Sequence, residues 1–123
     1  MGLRRKLLLV DDDEAVIAFL RAKLGAEFDL TATTSAEQVL ELARKHRPDL
    51  VLCDIELPGM DGGDVSAALF SDGGLRDIPV VFLTALVSPE ALRASGNQLA
   101  GRAAISKQSP IDEIIARLRA IVD

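Results

Sequence analysis

The stretch Leu7-Leu8-Leu9-Val10-Asp11-Asp12-Asp13 decides the fold. Its apolar residues run on without the in-out alternation of a half-exposed strand, so they suit a strand covered on both faces, as in a parallel sheet sandwiched between helices. The aspartates then end the run abruptly. Leu50-Val51-Leu52-Cys53 repeats the pattern and closes on a single Asp54. Along the whole chain, five short apolar runs alternate with five amphipathic stretches. That rhythm of βα units predicts an α/β domain built on a parallel sheet.

After the aspartates, Val16, Ile17, Leu20 and Leu24 stand at helical spacing, with Gly25 in the stop position. Phe28 to Thr33 reads as a second strand. Ser35-Ala36-Glu37-Gln38 fits a capping box ahead of a helix with Val39, Leu40 and Ala43 inward, ending before Pro48. The turn-rich Leu57 to Gly63 leads into a third helix carrying Val65, Ala68 and Leu69, which Ser71-Asp72-Gly73-Gly74 breaks. Val80 to Leu83 is the fourth strand, ended by Thr84. Ser88-Pro89 opens a fourth helix reaching about Gly96. Ala103 to Ser106 is a weak fifth strand, ended by Lys107, and Ser109-Pro110 caps a last helix with Ile111, Ile114, Ile115 and Leu118 inward.

The chain has 123 residues, enough for one domain with its own core, without disulfides or a structural metal. Cys53, the single cysteine, reads as a small buried residue suited to a reducing cytoplasm. With 14 Lys plus Arg against 19 Asp plus Glu, the formal charge is −5, which argues against nonspecific nucleic-acid or anionic-membrane binding. The basic Arg4-Arg5-Lys6 precedes an apolar run too short for a signal peptide or a spanning helix. Met1-Gly2 lacks the Ser or Thr at position six of an acylation signal, Lys6 standing there.

In open parallel sheets, ligands bind beyond the carboxyl ends of the strands. Asp11-Asp12-Asp13, Asp54, Thr84 and Lys107 all stand at such ends. If the first and third strands are neighbours, Asp11, Asp12 and Asp54 converge, and close carboxylates call for protonation or a cation. Hard oxygen ligands with room for water favour Mg²⁺ or Mn²⁺ over zinc. Asp13 and Glu14 read more simply as a cap and a dipole partner for the first helix. Lys107 alone would be a solvated charge, but acids and a phosphate would both attract its ammonium.

The motifs Leu9-Val10-Asp11-Asp12-Asp13, Asp54-Ile55-Glu56-Leu57-Pro58-Gly59-Met60-Asp61-Gly62 and Ile78-Pro79-Val80-Val81-Phe82-Leu83-Thr84-Ala85, with Lys107 ahead of Asp112-Glu113, resemble the receiver domains of two-component response regulators. The resemblance implies a flavodoxin-like, doubly wound three-layer fold with a five-stranded parallel sheet in the order 2-1-3-4-5. It implies that Asp54 accepts a phosphoryl group from a histidine kinase or a histidine phosphotransfer protein. By the same carry-over, Asp11, Asp12, Asp54 and the Glu56 backbone carbonyl would hold Mg²⁺, while Thr84 and Lys107 would contact the phosphoryl oxygens. The domain is then a signalling switch rather than an enzyme proper, a monomer or weak homodimer without an output domain, read out by a downstream target protein.

Two positions depart from the family pattern. Ala104 stands where an aromatic is usual, which would leave space on the surface between the fourth helix and the last strand. Gln108 replaces the proline after the lysine, removing the residue that makes a cis peptide cheap; a trans or strained cis bond there could shift Lys107. The spacing from Thr84 to Lys107 is one residue longer than usual, within Gly96 to Arg102. These departures leave a second reading, an interaction module of the same fold working without regulated phosphorylation. An aspartate-nucleophile phosphohydrolase would need a second Asp where Glu56 stands. A flavin carrier would need a phosphate-cradling loop where Asp11-Asp12-Asp13 would repel the phosphate.

Overall fold

A computed structural model describes residues 4–123; Met1-Gly2 lies outside the described residues. In chain order the elements are β1 (Arg5–Val10), α1 (Glu14–Leu24), β2 (Phe28–Thr33), a short 3-10 turn (Ala36–Gln38), α2 (Val39–His46), β3 (Leu50–Asp54), α3 (Gly62–Ser71), β4 (Val80–Thr84), α4 (Pro89–Ala94), β5 (Gln98–Leu99), β6 (Arg102–Ser106) and α5 (Ile111–Val122). The sheet order is β2-β1-β3-β4-β6-β5, parallel except for the β5–β6 pair. The expected order is therefore present, with β6 as the fifth parallel strand and the two-residue β5 added antiparallel at the edge.

Strand alternation explains the layers. Leu8, Val10, Val51, Cys53, Val80, Phe82 and Ala104 point into one core, completed by Val39 and Ala43 of α2, Val65 and Leu69 of α3, and Leu92 of α4. Their strand neighbours Leu7, Leu9, Leu50, Leu52, Val81, Leu83 and Ile105 point the other way, onto Leu20 and Leu24 of α1 and Ile114 and Leu118 of α5. Every residue of β3 and β4 is buried, as continuous apolar runs demand.

The capping expectations divide. Asp13 caps α1, accepting from Ala15 N–H at 2.9 Å, and Ser88 caps α4 through Ala91 N–H. Ser35 forms no capping box. The Thr33 hydroxyl binds Gln38 Oε1 at 2.8 Å and accepts from Ser35 N–H, so the Gln38 side chain is drawn away from the cap and α2 begins only at Val39. Pro110, not Ser109, occupies the N-cap of α5, and Ser109 N–H is taken by the Ser106 carbonyl.

Ala104 leaves no surface space. It is wholly buried in the cluster that holds Phe82 and Leu92, with Val87 and Leu99 packed against that cluster. The hairpin of β5 and β6 is the cause: Ala104 N–H donates to Asn97 O at 3.0 Å, folding the added segment back along the sheet edge. Among the described residues no helix is long and apolar enough to cross a membrane.

Candidate functional site

Three of the four parallel ladders run one hydrogen bond past their strands, and that step fixes the backbone at the site. Asp11 N–H donates to Thr33 O at 3.2 Å, Ile55 N–H to Leu83 O at 3.1 Å, and Lys107 N–H to Thr84 O at 2.7 Å. Asp11, Asp54 and Lys107 therefore emerge from the carboxyl edge at defined heights. Gly62 permits the loop after β3 to close tightly, since a Cβ there would meet Ile55 Cα at 2.9 Å and Asp54 O at 3.1 Å.

Asp11, Asp12 and Asp54 converge, each offering a carboxylate oxygen within 4.8 Å of the others. Asp11 and Asp54 are buried and Asp12 is exposed. Lys107 reaches into this cluster, its Nζ 3.0 Å from Asp54 Oδ2 in a hydrogen bond and 2.8 Å from Asp11 Oδ2 in an ion pair off the line of a hydrogen bond. The second oxygens are held by backbone. Asp54 Oδ1 accepts from Glu56 N–H at 3.0 Å, and Asp11 Oδ1 from Asp13 N–H at 2.9 Å. The trans peptide before Gln108 leaves Lys107 within reach of both acids.

Burial pushes the Asp54 carboxyl above the ordinary aspartate value, against the opposing pull of the Glu56 amide and Lys107. Burial pulls the Lys107 ammonium down, but its contacts with Asp11 and Asp54 outweigh that, and it stands above the usual lysine value. Cys53, next to Asp54, has its thiol pushed up to about 12, chiefly by burial and then by the Asp54 charge, so it stays protonated and inert.

Thr84 is buried at the end of β4, its hydroxyl oxygen accepting from Leu86 N–H at 3.1 Å. Its backbone carbonyl joins it to the site by accepting from Lys107 N–H at 2.7 Å. Glu56 is exposed and positioned by its own N–H to Asp54. Sequence reading gave no role to Ser106, whose buried hydroxyl accepts from Gln108 N–H at 3.1 Å, or to the Leu86 amide. A serine or threonine ending an apolar strand is the signal for such a turn.

A partly buried lysine bridging two buried carboxylates at the carboxyl edge of a doubly wound parallel sheet is the arrangement this chain shares with the receivers, a class of phosphorylation-based signalling domains. The chain matches the response regulator receiver domain over residues 7–119 and belongs to that family, the receivers of two-component systems. It is 36% identical over 119 residues to the response regulator PleD of Caulobacter vibrioides, covering 94% of this chain and 26% of that protein. Against the DNA-binding response regulator MtrA of Mycobacterium tuberculosis it is 37% identical over 119 residues, covering 96% and 50%. The chain thus spans a quarter to a half of the length of these curated relatives. Among solved structures, a response regulator of Chloroflexus aurantiacus J-10-fl superposes with a TM-score of 0.81 at 28% identity, covering 98% of each chain. The receiver domain of the sensor histidine kinase PA1611 from Pseudomonas aeruginosa PAO1 shares the fold, with a TM-score of 0.80 at 22% identity and 98% of each chain covered.

Proposed function

We propose that this receiver is a phosphorylation-controlled switch in a phosphorelay, with Asp54 taking a phosphoryl group from a histidine kinase or a histidine phosphotransfer protein. The observation that carries the reading is Lys107 Nζ lying 3.0 Å from Asp54 Oδ2 and 2.8 Å from Asp11 Oδ2, a cation placed at the strand end where a phosphoryl group would bring negative charge.

The donor set fits a hard divalent cation: three carboxylate oxygens within 4.8 Å of one another, one residue open to water. Asp11, Asp12 and Asp54, with the Glu56 carbonyl, would hold Mg²⁺ or Mn²⁺, and the bound ion supplies neutralisation of charge on the phosphoryl oxygens. The PA1611 receiver, which is described with a magnesium ion coordinated in its active site cleft, supports the same reading. Asp54 does the bond making. One of its carboxylate oxygens bonds to phosphorus as the phosphorus–nitrogen bond of the donor's phosphohistidine breaks, and the electron pair leaves with the imidazole nitrogen. Lys107 follows the charge from the carboxylate to a phosphoryl oxygen. The Thr84 hydroxyl, whose oxygen already accepts from Leu86 N–H, directs its proton outward to another. Readout is by docking to a target protein, in the cytoplasm where histidine kinases transfer their phosphoryl groups.

Incubation with acetyl phosphate and Mg²⁺, followed by intact-mass measurement, tests the assignment. Wild type gains one phosphoryl group and Asp54→Asn gains none. Equal labelling of the two, or an unlabelled wild type under every donor tried, would sink it, the latter leaving the unphosphorylated interaction module.

A further inference from the structure

Lys107 carries its ammonium on a flexible stem, so the backbone at its root decides where that group reaches. At this corner the chain passes from β6 into the loop before α5 through a turn closed by Gln108 N–H to Ser106 Oγ at 3.1 Å and Ser109 N–H to Ser106 O at 3.0 Å. Ser106 is wholly buried, so the Gln108 amide gives its hydroxyl a partner where water does not reach. A proline at 108, with no N–H, could not do this. The Gln108 side chain then crosses to the loop after β4, where Nε2 donates to Ala85 O at 3.4 Å. One residue back, Lys107 N–H donates to Thr84 O at 2.7 Å. The loops bearing Lys107 and Thr84 are thereby joined at consecutive residues.

We propose that Ser106 and Gln108 are positioning residues that hold Lys107 between Asp11 and Asp54 and couple its loop to that of Thr84. The proposal deepens the phosphoryl-switch reading and rests on it. In this chain a hydroxyl-to-amide turn and a side-chain tie do the work of fixing the corner.

Two variants test it, each melted alongside wild type. Ser106→Ala removes the hydroxyl and leaves the Gln108 backbone N–H without that acceptor. Gln108→Met keeps the backbone N–H and removes the side-chain amide. Two readouts are taken: beryllofluoride affinity in Mg²⁺, and hydrogen exchange of the Lys107 amide in metal-free protein. The expected result for Ser106→Ala is an affinity loss of about three- to tenfold, the equivalent of one ordinary hydrogen bond, with faster Lys107 exchange and a melting midpoint lowered by about 2–9 °C for the bond lost in the free protein. Gln108→Met moves both in the same direction by less. In a Lys107→Ala background neither substitution lowers the affinity further, because the group they position is gone. Unchanged Lys107 exchange in both variants, or an undiminished affinity loss in the Lys107→Ala background, overturns the proposal. A wild type that takes up no beryllofluoride refutes the switch reading instead, and the exchange data then decide the positioning role alone.

Discussion

Replacing Lys107 with methionine keeps most of the stem and removes the ammonium. The side chains concerned are 19% exposed for Lys107, 10% for Asp54 and 0% for Asp11. Breaking a buried ion pair from one side costs roughly 3–5 kcal/mol, because a charge is left without compensation. Partial access of water to Lys107 and Asp54 lowers this, so the expectation in metal-free buffer is a loss of about 2–3 kcal/mol. For a chain of this length each kcal/mol moves the midpoint by about 3–6 °C, giving a drop of roughly 6–18 °C. A divalent cation on the same carboxylates offsets the missing charge, so Mg²⁺ raises the midpoint of Lys107→Met more than that of wild type. Thermal unfolding followed by circular dichroism, with EDTA and with about 10 mM Mg²⁺, gives all four values. A variant as stable as wild type in EDTA, or equal Mg²⁺ stabilisation of both proteins, would refute the view that Lys107 balances the acidic cluster.

Gly62→Ala drives a β carbon to 2.9 Å from Ile55 Cα, so it should cost about 1–3 kcal/mol and shift the Asp54 and Ile55 amide resonances; a neutral variant would mean the loop yields freely. Ala104→Tyr places a ring in a wholly buried position, so denaturant unfolding should reveal a loss of about 1–3 kcal/mol or more, while an unchanged midpoint would mean the hairpin of β5 and β6 swings aside at no cost. The Arg44 guanidinium, then the Gly74 N–H, hold the Asp72 carboxyl below the usual aspartate value, so their pairing stabilises above that value and fades as pH falls through the folded one. The stability gap between wild type and Arg44→Ala should therefore be present at neutral pH and narrow as the pH falls below the ordinary aspartate range in a denaturation series; a gap independent of pH would contradict the assignment.

Strand identity was legible because Leu7–Val10 of β1 and all of β3 are buried on both faces, which leaves unbroken apolar runs, and because a lone Asp54 closing such a run stands out at its carboxyl end. The convergence of Asp11, Asp12 and Asp54 followed from strand adjacency alone. What escaped depended on contacts remote in sequence or on competition between partners. Ser35 and Gln38 have capping-box spacing, but the Thr33 hydroxyl takes the glutamine side chain first. The β5 strand has only two residues in a polar, glycine-containing segment, and Ala104 is buried only because that segment folds back over the edge. The reach of Gln108 to Ala85 needs the parallel β4–β6 pairing, which no local pattern around Gln108 records.

The most direct test of the central claim locates the phosphoryl group chemically. After incubation with a phosphorylated histidine kinase or acetyl phosphate in Mg²⁺, borohydride reduction converts an aspartyl phosphate to homoserine, which peptide mass spectrometry assigns to a position. Homoserine is expected at position 54, in the peptide spanning Leu50–Asp54, and should disappear when Mg²⁺ is chelated. Homoserine at Asp11, Asp12 or any other aspartate, or labelling at position 54 that is indifferent to Mg²⁺, would contradict that claim.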